Sequence, residues 1–219
     1  MRTVLTLLGL LLVSGCQAMD PLSGANDPHD PWWSLGFVQP AYMKVWVEDS
    51  AVVDIRGRLF WNTGGGTAAG DEPEDGTEAA RGWRGGAGPT GVAVVGADLP
   101  QRIYVRWQSI VEPQTYRAWV DIPEEARQIM RDSVAWRCPE KPQRVSSYKA
   151  TLYLGLAPGG IIQVWVYNRC YRSVKVARAQ AEVVPLGPDQ GRNEGRYAYK
   201  PSEKAKRYIE RFGIPFGSW

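Results

Sequence analysis

Histidine is almost absent from this chain of 219 residues, whose one imidazole is that of His29 in a polar stretch near the amino terminus. Ser-His-Asp and Cys-His catalysis need an imidazole held on a rigid scaffold, which argues against both. The CxxC and HxxxH spacings of structural zinc sites are missing, and no glycine-rich segment leads into Lys-Ser or Lys-Thr as in a phosphate-binding loop. We therefore expect no enzyme, no metal and no cofactor.

Net charge is also scarce. The formal charge is +3, too small for a protein that binds nucleic acid through a concentrated basic face. The hydrophobic fraction of 44% is too high for a disordered chain, and the length fits one ordinary domain.

The amino terminus carries a targeting pattern. A positive start at Arg2 and an apolar run from Val4 to Val13 lead into Ser14-Gly15-Cys16. The run has the length of a signal peptide and is too short to span a bilayer. The pattern resembles the lipobox of bacterial lipoproteins, in which the cysteine is acylated. We expect a signal peptide over residues 1–15, a lipid anchor on Cys16 and a mature chain of 204 residues.

By analogy with lipoprotein sorting, Gln17 after the lipidated cysteine favours the outer membrane, with the domain facing the periplasm. Residues 16–31 are rich in Asp, Pro, Gly and Asn, which predicts a flexible tether before a single β-rich domain over residues 32–219. The remaining cysteines are Cys138 and Cys170, an even number that fits one disulfide in an oxidising compartment. Two buried free thiols are the alternative.

Strand signals dominate the domain. We predict strands at residues 42–47, 52–61, 103–108, 116–120, 149–156, 161–167 and 174–184. The cluster Glu48-Asp49-Ser50 predicts a turn that makes the first two strands a hairpin, and Pro158-Gly159-Gly160 predicts a second hairpin. The expected fold class is mainly β (α+β), an antiparallel β-sandwich-like domain.

Two amphipathic helices are predicted on its periphery. One follows Asp121, its N-cap candidate, and the other opens at Pro201-Ser202-Glu203 and stops at Gly213. A long glycine-rich loop over residues 62–91 interrupts the strand pattern. The loop carries a cluster of five acidic residues: Asp71, Glu72, Glu74, Asp75 and Glu78. A solvated acidic loop is favoured over a calcium site or a catalytic carboxylate pair.

Tryptophan is abundant, with ten residues. Those within predicted strands, such as Trp46, Trp107 and Trp165, fit core packing. Trp83 stands in the glycine-rich loop between Arg81 and Arg84, and Trp and Arg are the residue types that anchor protein interfaces. The sequence predicts Arg81, Trp83 and Arg84 as candidate partner-binding residues.

Several segments together resemble one family of uncharacterised Gram-negative lipoproteins, the domain-of-unknown-function 2931 family. The resemblance lies in residues 33–35, 42–47, 53–54, 57, 99–100, 104–107, 121–123, 155–160 and 164–165. Some members of that family are found near phospholipase effectors of the type VI secretion system. The resemblance implies a periplasmic lipoprotein that neutralises such a toxin as an immunity protein. An envelope protein that binds glycan or lipid through exposed tryptophans is the alternative.

Overall fold

The computed structural model of the chain describes residues 33–74, 82–83, 91–133, 137–138, 141–145, 150–167 and 173–219. In chain order the strands of its first half are β1 Trp33–Val38, β2 Val45–Asp54, β3 Leu59–Trp61, β4 Gly66–Thr67, β5 Val92–Val94, β6 Pro100–Ser109 and β7 Gln114–Asp121. Helix α1 Glu124–Asp132 precedes β8 Arg137–Cys138, β9 Lys141–Val145, β10 Thr151–Ala157, β11 Ile161–Tyr167, β12 Val174–Gln180, β13 Glu182–Val183 and helix α2 Glu203–Phe212.

Two sheets pack face to face and enclose the core. The first has the strand order β12-β11-β10-β1-β5, and the second has the order β13-β7-β6-β2-β3, with β4 also paired to β2. Alternate residues of each strand point inward, among them Leu152, Leu154, Ile103, Val105 and Trp107, and each of these is fully buried. The predicted class, a β-sandwich-like α+β fold, is confirmed.

The predicted hairpin around Pro158-Gly159-Gly160 is present, because β10 and β11 pair antiparallel from Thr151↔Tyr167 to Ala157↔Ile161. A positive φ of 78° at Gly159 lets the chain reverse there. One ladder departs from the antiparallel expectation: β1 pairs with β10 in parallel, from Ser34↔Thr151 to Val38↔Gly155. These two strands are far apart in the sequence, so no local pattern signals their direction.

The turn predicted at Glu48-Asp49-Ser50 is wrong. Strand β2 runs straight through these residues, and the register with β6 shifts between Val47 and Asp49, so that Glu48 forms a bulge. The chain reverses later, where the buried Asp54 carboxylate accepts hydrogen bonds from Arg56 N and Arg58 N, both at 2.9 Å. An Asx-type turn therefore joins β2 to β3.

Both predicted helices form. Helix α1 starts at Glu124 rather than after an Asp121 cap, because Asp121 is the last residue of β7 and Pro123 occupies the N-cap position. The α1 side chains of Ala126 and Met130 enter the main core. Helix α2 begins as predicted: the Ser202 hydroxyl accepts a hydrogen bond from Ala205 N at 3.0 Å. No helix in the described part of the chain is long and apolar enough to cross a bilayer.

The glycine-rich segment is partly folded onto the domain. Residues 66–67 form β4, and Ala69 bridges to Val38 of the first sheet. Two of its acidic side chains reach α2: Glu72 accepts a hydrogen bond from the Ser202 hydroxyl at 2.8 Å, and Glu74 pairs with Lys204. The first part of this segment is therefore tied to the domain by strand pairing, one hydrogen bond and one ion pair, rather than standing off it as a loop.

Candidate binding surface

A row of aromatic side chains crosses the outer face of the second sheet. Register places Trp61 of β3 opposite Ala51 of β2, Ala51 opposite Tyr104 of β6, and Tyr104 opposite Trp119 of β7. These four residues have the outward phase, because their strand neighbours Val52, Ile103 and Val120 belong to the core. Ala51 is nonetheless fully buried. We call Trp61, Tyr104 and Trp119 the aromatic row.

The row is exposed and its rings contact one another. Trp61 and Trp119 are 56% and 41% exposed, values unusual for tryptophan. The Trp61 and Tyr104 ring centroids are 6.4 Å apart at 70°, meeting over the small Ala51. Tyr104 and Trp119 are 5.3 Å apart at 48°. The Arg102 guanidinium lies over the Trp119 ring, 4.5 Å from its centroid, and so stiffens that end of the row.

Charged side chains flank the row on both sides. Two residues along the strands, Arg102 faces Asp121 across the β6–β7 ladder, and both are exposed. Arg102 has no ion pair among the described residues and stacks on Trp119 instead. On the other side, Arg117 pairs with Glu182 at 2.6 Å in an exposed position. The row is thus an apolar stripe between polar borders, which is the layout of a small protein interface.

Beyond the Arg117 border, buried polar groups continue the same sheet face. The Glu48 carboxylate pairs with Arg106 at 2.7 Å and accepts a hydrogen bond from Gln108 Nε2 at 2.8 Å. Residues 184–201, which we call the C-terminal strap, lie over these groups. Asp189 N donates to Glu48 Oε1, and Ala198 N donates to Gln108 Oε1, both at 2.7 Å. Side-chain acceptors of the sheet therefore hold the strap by its backbone.

Aromatic contacts add to this hold. Tyr199 of the strap meets Trp46 edge to face at 5.7 Å, and Lys44 lies over the Tyr199 ring at 4.5 Å. The Thr67 hydroxyl donates to the Tyr199 hydroxyl at 3.3 Å. The strap therefore covers the half of the face that contains Trp46, Glu48 and Gln108, while Trp61 and Trp119 stay exposed.

Tyr104 in the centre of the row keeps its proton at neutral pH. Burial raises the pKa of its phenol, and the neighbouring carboxylates of Asp49 and Glu48 add to that rise, while Arg106 and Arg117 oppose it. A neutral phenol can donate a hydrogen bond to a bound molecule. Among the described residues no group of three or more His, Cys, Asp or Glu side chains could hold a metal ion.

A family model described as "Protein of unknown function (DUF2931)" matches residues 21–217, nearly the whole chain. The chain belongs to the DUF2931 family. No curated protein and no solved structure matches it. The family resemblance seen in the sequence is confirmed, and the description leaves the activity open.

In this DUF2931 chain, Trp83 is not the exposed residue that the sequence predicted. It is half-buried and meets Trp165 edge to face at 5.2 Å on the outer face of the first sheet. The two indoles fit over Gly155, where a Cβ atom would lie 2.5 Å from Trp165 and 2.6 Å from Trp83. Trp83 therefore packs against the sheet. Arg81 and Arg84 lie outside the described residues, and their contact with a partner stays a prediction.

The cysteine predictions also stay predictions. Cys16, the signal peptide and the tether lie outside the described residues, as does Cys170. Cys138 lies in β8, of which the structure describes the backbone, so its pairing with Cys170 is untested. Two members of the acidic cluster that was weighed as a calcium site or catalytic pair, Asp75 and Glu78, lie outside the described part of the chain.

The sequence carried a signal for the aromatic row. Ile103, Val105 and Trp107 alternate as one face of β6, so Tyr104 between them must point to the other face. In β7, Tyr116 and Val120 are buried and Trp119 has the opposite phase. A large aromatic residue at the outward phase of a strand is a candidate for binding, since core packing does not explain it.

Proposed function

We propose that this DUF2931 chain is a non-enzymatic lipoprotein, anchored through Cys16 in the outer membrane, whose periplasmic domain binds another protein. The exposed row of Trp61, Tyr104 and Trp119, with Arg102 stacked on one end, carries the proposal. Trp, Tyr and Arg are the residues that contribute most binding energy at protein interfaces. The row runs across the second sheet of a packed sandwich, from the edge strand β3 to β6 and β7, so a partner would meet a surface that needs little ordering.

The ring geometry favours a protein partner over a glycan. Sugar rings stack on aromatic faces that share a plane, whereas the rings here are tilted by 70° and 48° to their neighbours. Leu59, 47% exposed, extends the apolar surface in the direction of Arg102. Aliphatic groups beside Trp and Arg suit the side chains of another protein better than the hydroxyl groups of a sugar.

The partner that we propose is a phospholipase effector of the type VI secretion system, with this chain as its immunity protein. The family resemblance suggests this role, and the absence of histidine chemistry is consistent with it. An immunity protein acts by occupying the effector's surface, so it needs a rigid anchor patch and the right compartment but no catalytic group.

Binding to a phospholipase effector, taken from the neighbourhood of this gene if one is encoded there, tests the proposal. The full-length chain and the effector are co-expressed, and their affinity is measured for Trp61→Ala and Trp119→Ala. Loss of an interface anchor costs at least about 2 kcal/mol, or roughly 30-fold in Kd. Leu186→Ala is the matched control, because Leu186 is 68% exposed on the strap, away from the row.

Three results would count against this proposal. The effector could fail to form a complex, the row variants could bind like the Leu186→Ala control, or the chain could leave cells unprotected against the effector. Binding to peptidoglycan or lipopolysaccharide that is lost in Trp61→Ala would favour the glycan alternative. Unfolding in urea should show only a small loss of stability in both row variants, about 1 kcal/mol, because the indoles lie outside the core and lose surface ring contacts such as those with Tyr104.

A further inference from the structure

The tether joins the fold at one identifiable end of the sandwich. Trp33, where β1 begins, pairs with Val94 of β5 and donates a hydrogen bond from its indole Nε1 to Asp98 O at 3.0 Å. Two loops frame this point: residues 54–58 between β2 and β3, and residues 95–99 between β5 and β6. We call these two loops the amino-terminal tip.

The two loops are fixed to each other. Asp98 N donates to Asp54 Oδ2 at 3.1 Å, and Ile55 N donates to Leu99 O at 2.9 Å. The Arg58 guanidinium spans the loops as well, because it pairs with Asp54 at 2.7 Å and donates to Gly96 O at 3.0 Å. The tip is thus a rigid part of the domain with a defined outer surface.

Apolar side chains project from that surface. Ile55 and Val95, one from each loop, are 48% and 57% exposed. Both loops are short turns, where polar residues are the usual choice. Exposed aliphatic residues at the end of the domain nearest to a lipid anchor suggest a contact with the membrane.

The charges of the tip sum to zero, but its cations and carboxylates differ in exposure. Arg56 pairs with Asp98 at 3.0 Å, and its side chain is 59% exposed while that of Asp98 is 16% exposed. Arg58 is likewise far more exposed than its partner Asp54, which is fully buried. In each pair the cation lies outside and the carboxylate inside, so the tip presents guanidinium groups to its surroundings.

We propose that the amino-terminal tip docks on an anionic phospholipid surface, with Ile55 and Val95 inserted among the headgroups and Arg56 and Arg58 at the phosphates. This inference rests on the proposed lipid anchor at Cys16. Sixteen residues, 17–32, separate the anchor from β1. A segment of that length reaches at most about 55 Å even when fully extended, so the anchor keeps the tip within that distance of the bilayer. Weak insertion of two aliphatic residues then suffices for docking.

Acidic residues limit the docking area. Asp121 and Glu125, both exposed, stand at the start of α1, which is also at this end because Ile122 N donates to Gln101 O. Anionic lipid would repel these carboxylates. The contact is therefore confined to the two loops, with α1 turned away from the bilayer.

The test uses the full-length lipidated protein in vesicles of phosphatidylethanolamine and phosphatidylglycerol. An environment-sensitive dye is attached to Ile55→Cys and, as the matched control, to Leu186→Cys on the strap; the labelled unsubstituted chain gives the background. An insertion of about 5–10 Å should shift the Ile55 dye emission to the blue and let brominated acyl chains quench it by roughly half. The Leu186 dye should show neither effect. Arg56→Gln should reduce the quenching, and so should vesicles of phosphatidylcholine alone.

Flotation of the vesicles separates the two proposals. If the protein floats with the vesicles and the Ile55 dye is unaffected, the docking is refuted while the anchor stands. If both dyes respond alike, the domain lies on the bilayer in no preferred orientation, and the docking is equally refuted. If the protein fails to float, the anchor itself is wrong and the docking inference falls with it. Thermal unfolding of each labelled chain should match that of the unsubstituted protein, since both sites are exposed.

Discussion

Removing the Glu48 carboxylate would show how the C-terminal strap is held on the sheet. In Glu48→Ala, Arg106 stays buried without its counter-charge, and Gln108 and the backbone of Asp189 lose their acceptor. Breaking one side of a buried ion pair costs about 3–5 kcal/mol. Asp189 lies in a half-exposed segment, so its N–H regains a water partner and adds little to that cost.

A double variant separates the cost of the unpaired Arg106 charge from the other effects of removing Glu48. Arg106→Met in the Glu48→Ala background removes the unpaired guanidinium, and apolar replacement of a buried pair is often close to neutral. We therefore expect the double variant to be more stable than Glu48→Ala alone, with a coupling energy of about 0.5–3 kcal/mol. Glu182→Ala is the control, because Glu182 forms an exposed pair with Arg117, and such pairs are worth about 1 kcal/mol or less.

Urea unfolding gives the free energy of unfolding of each variant. Amide hydrogen exchange at Asp189 and Ala198 shows how firmly the strap is held on the sheet. Exchange at both amides should accelerate in Glu48→Ala and stay unchanged in Glu182→Ala. The reasoning would be refuted by a loss of stability no larger than in the control, or by strap amides that exchange at the original rate.

Two further predictions concern other parts of the fold. Burial raises the pKa of Asp54, but hydrogen bonds from neighbouring amides and the Arg58 side chain outweigh burial and lower it. Because the pKa of Asp54 in the folded protein lies below the ordinary value of about 3.9, its carboxylate stabilises the fold above about pH 3.9. This stabilisation is lost as the pH falls through the folded pKa. Urea unfolding of Asp54→Asn should therefore lack this acid-dependent loss of stability. Gly155→Ala would place a Cβ 2.5 Å from the Trp165 ring and should cost about 1–3 kcal/mol with a change in tryptophan fluorescence, whereas Gly65→Ala, whose Cβ meets only a carbonyl at 3.4 Å, should cost less.

Local patterns predicted those elements whose partners are close in sequence. The β10–β11 hairpin follows from alternating leucines and two glycines, and α2 follows from its Ser202 cap and apolar stripe. The turn predicted inside β2 is wrong because the cluster Glu48-Asp49-Ser50 is typical of a turn by local propensity. In the fold, Arg106 and Gln108 bind the Glu48 carboxylate and keep it within the strand. Those partners lie about sixty residues along the chain. A charged bulge inside a strand depends on tertiary contacts that local propensity does not contain.

The binding surface also has some features that local sequence predicts and others that depend on tertiary contacts. The outward phase of Tyr104 was predictable, but its placement beside Trp61 and Trp119 requires the register of three ladders. Outward phase also did not guarantee exposure, since Gln108 shares the phase of Tyr104 and is buried beneath the strap. The exposure predicted for Trp83 is wrong because its glycine-rich neighbours indicate an exposed loop. The indole instead packs into the space that Gly155, on a strand distant in sequence, leaves open.

The order of features along the second sheet connects the two proposals. Leu59, two residues before Trp61, borders the amino-terminal tip, so the aromatic row starts about 7 Å further along the strands. A domain docked by its tip would hold the row just above the headgroups and facing sideways, with the strap at the far end. An effector that hydrolyses phospholipids has to work at that surface. Anchor, tip and row would then act in sequence: the anchor sets the local concentration, the tip sets the orientation, and the row makes the specific contact.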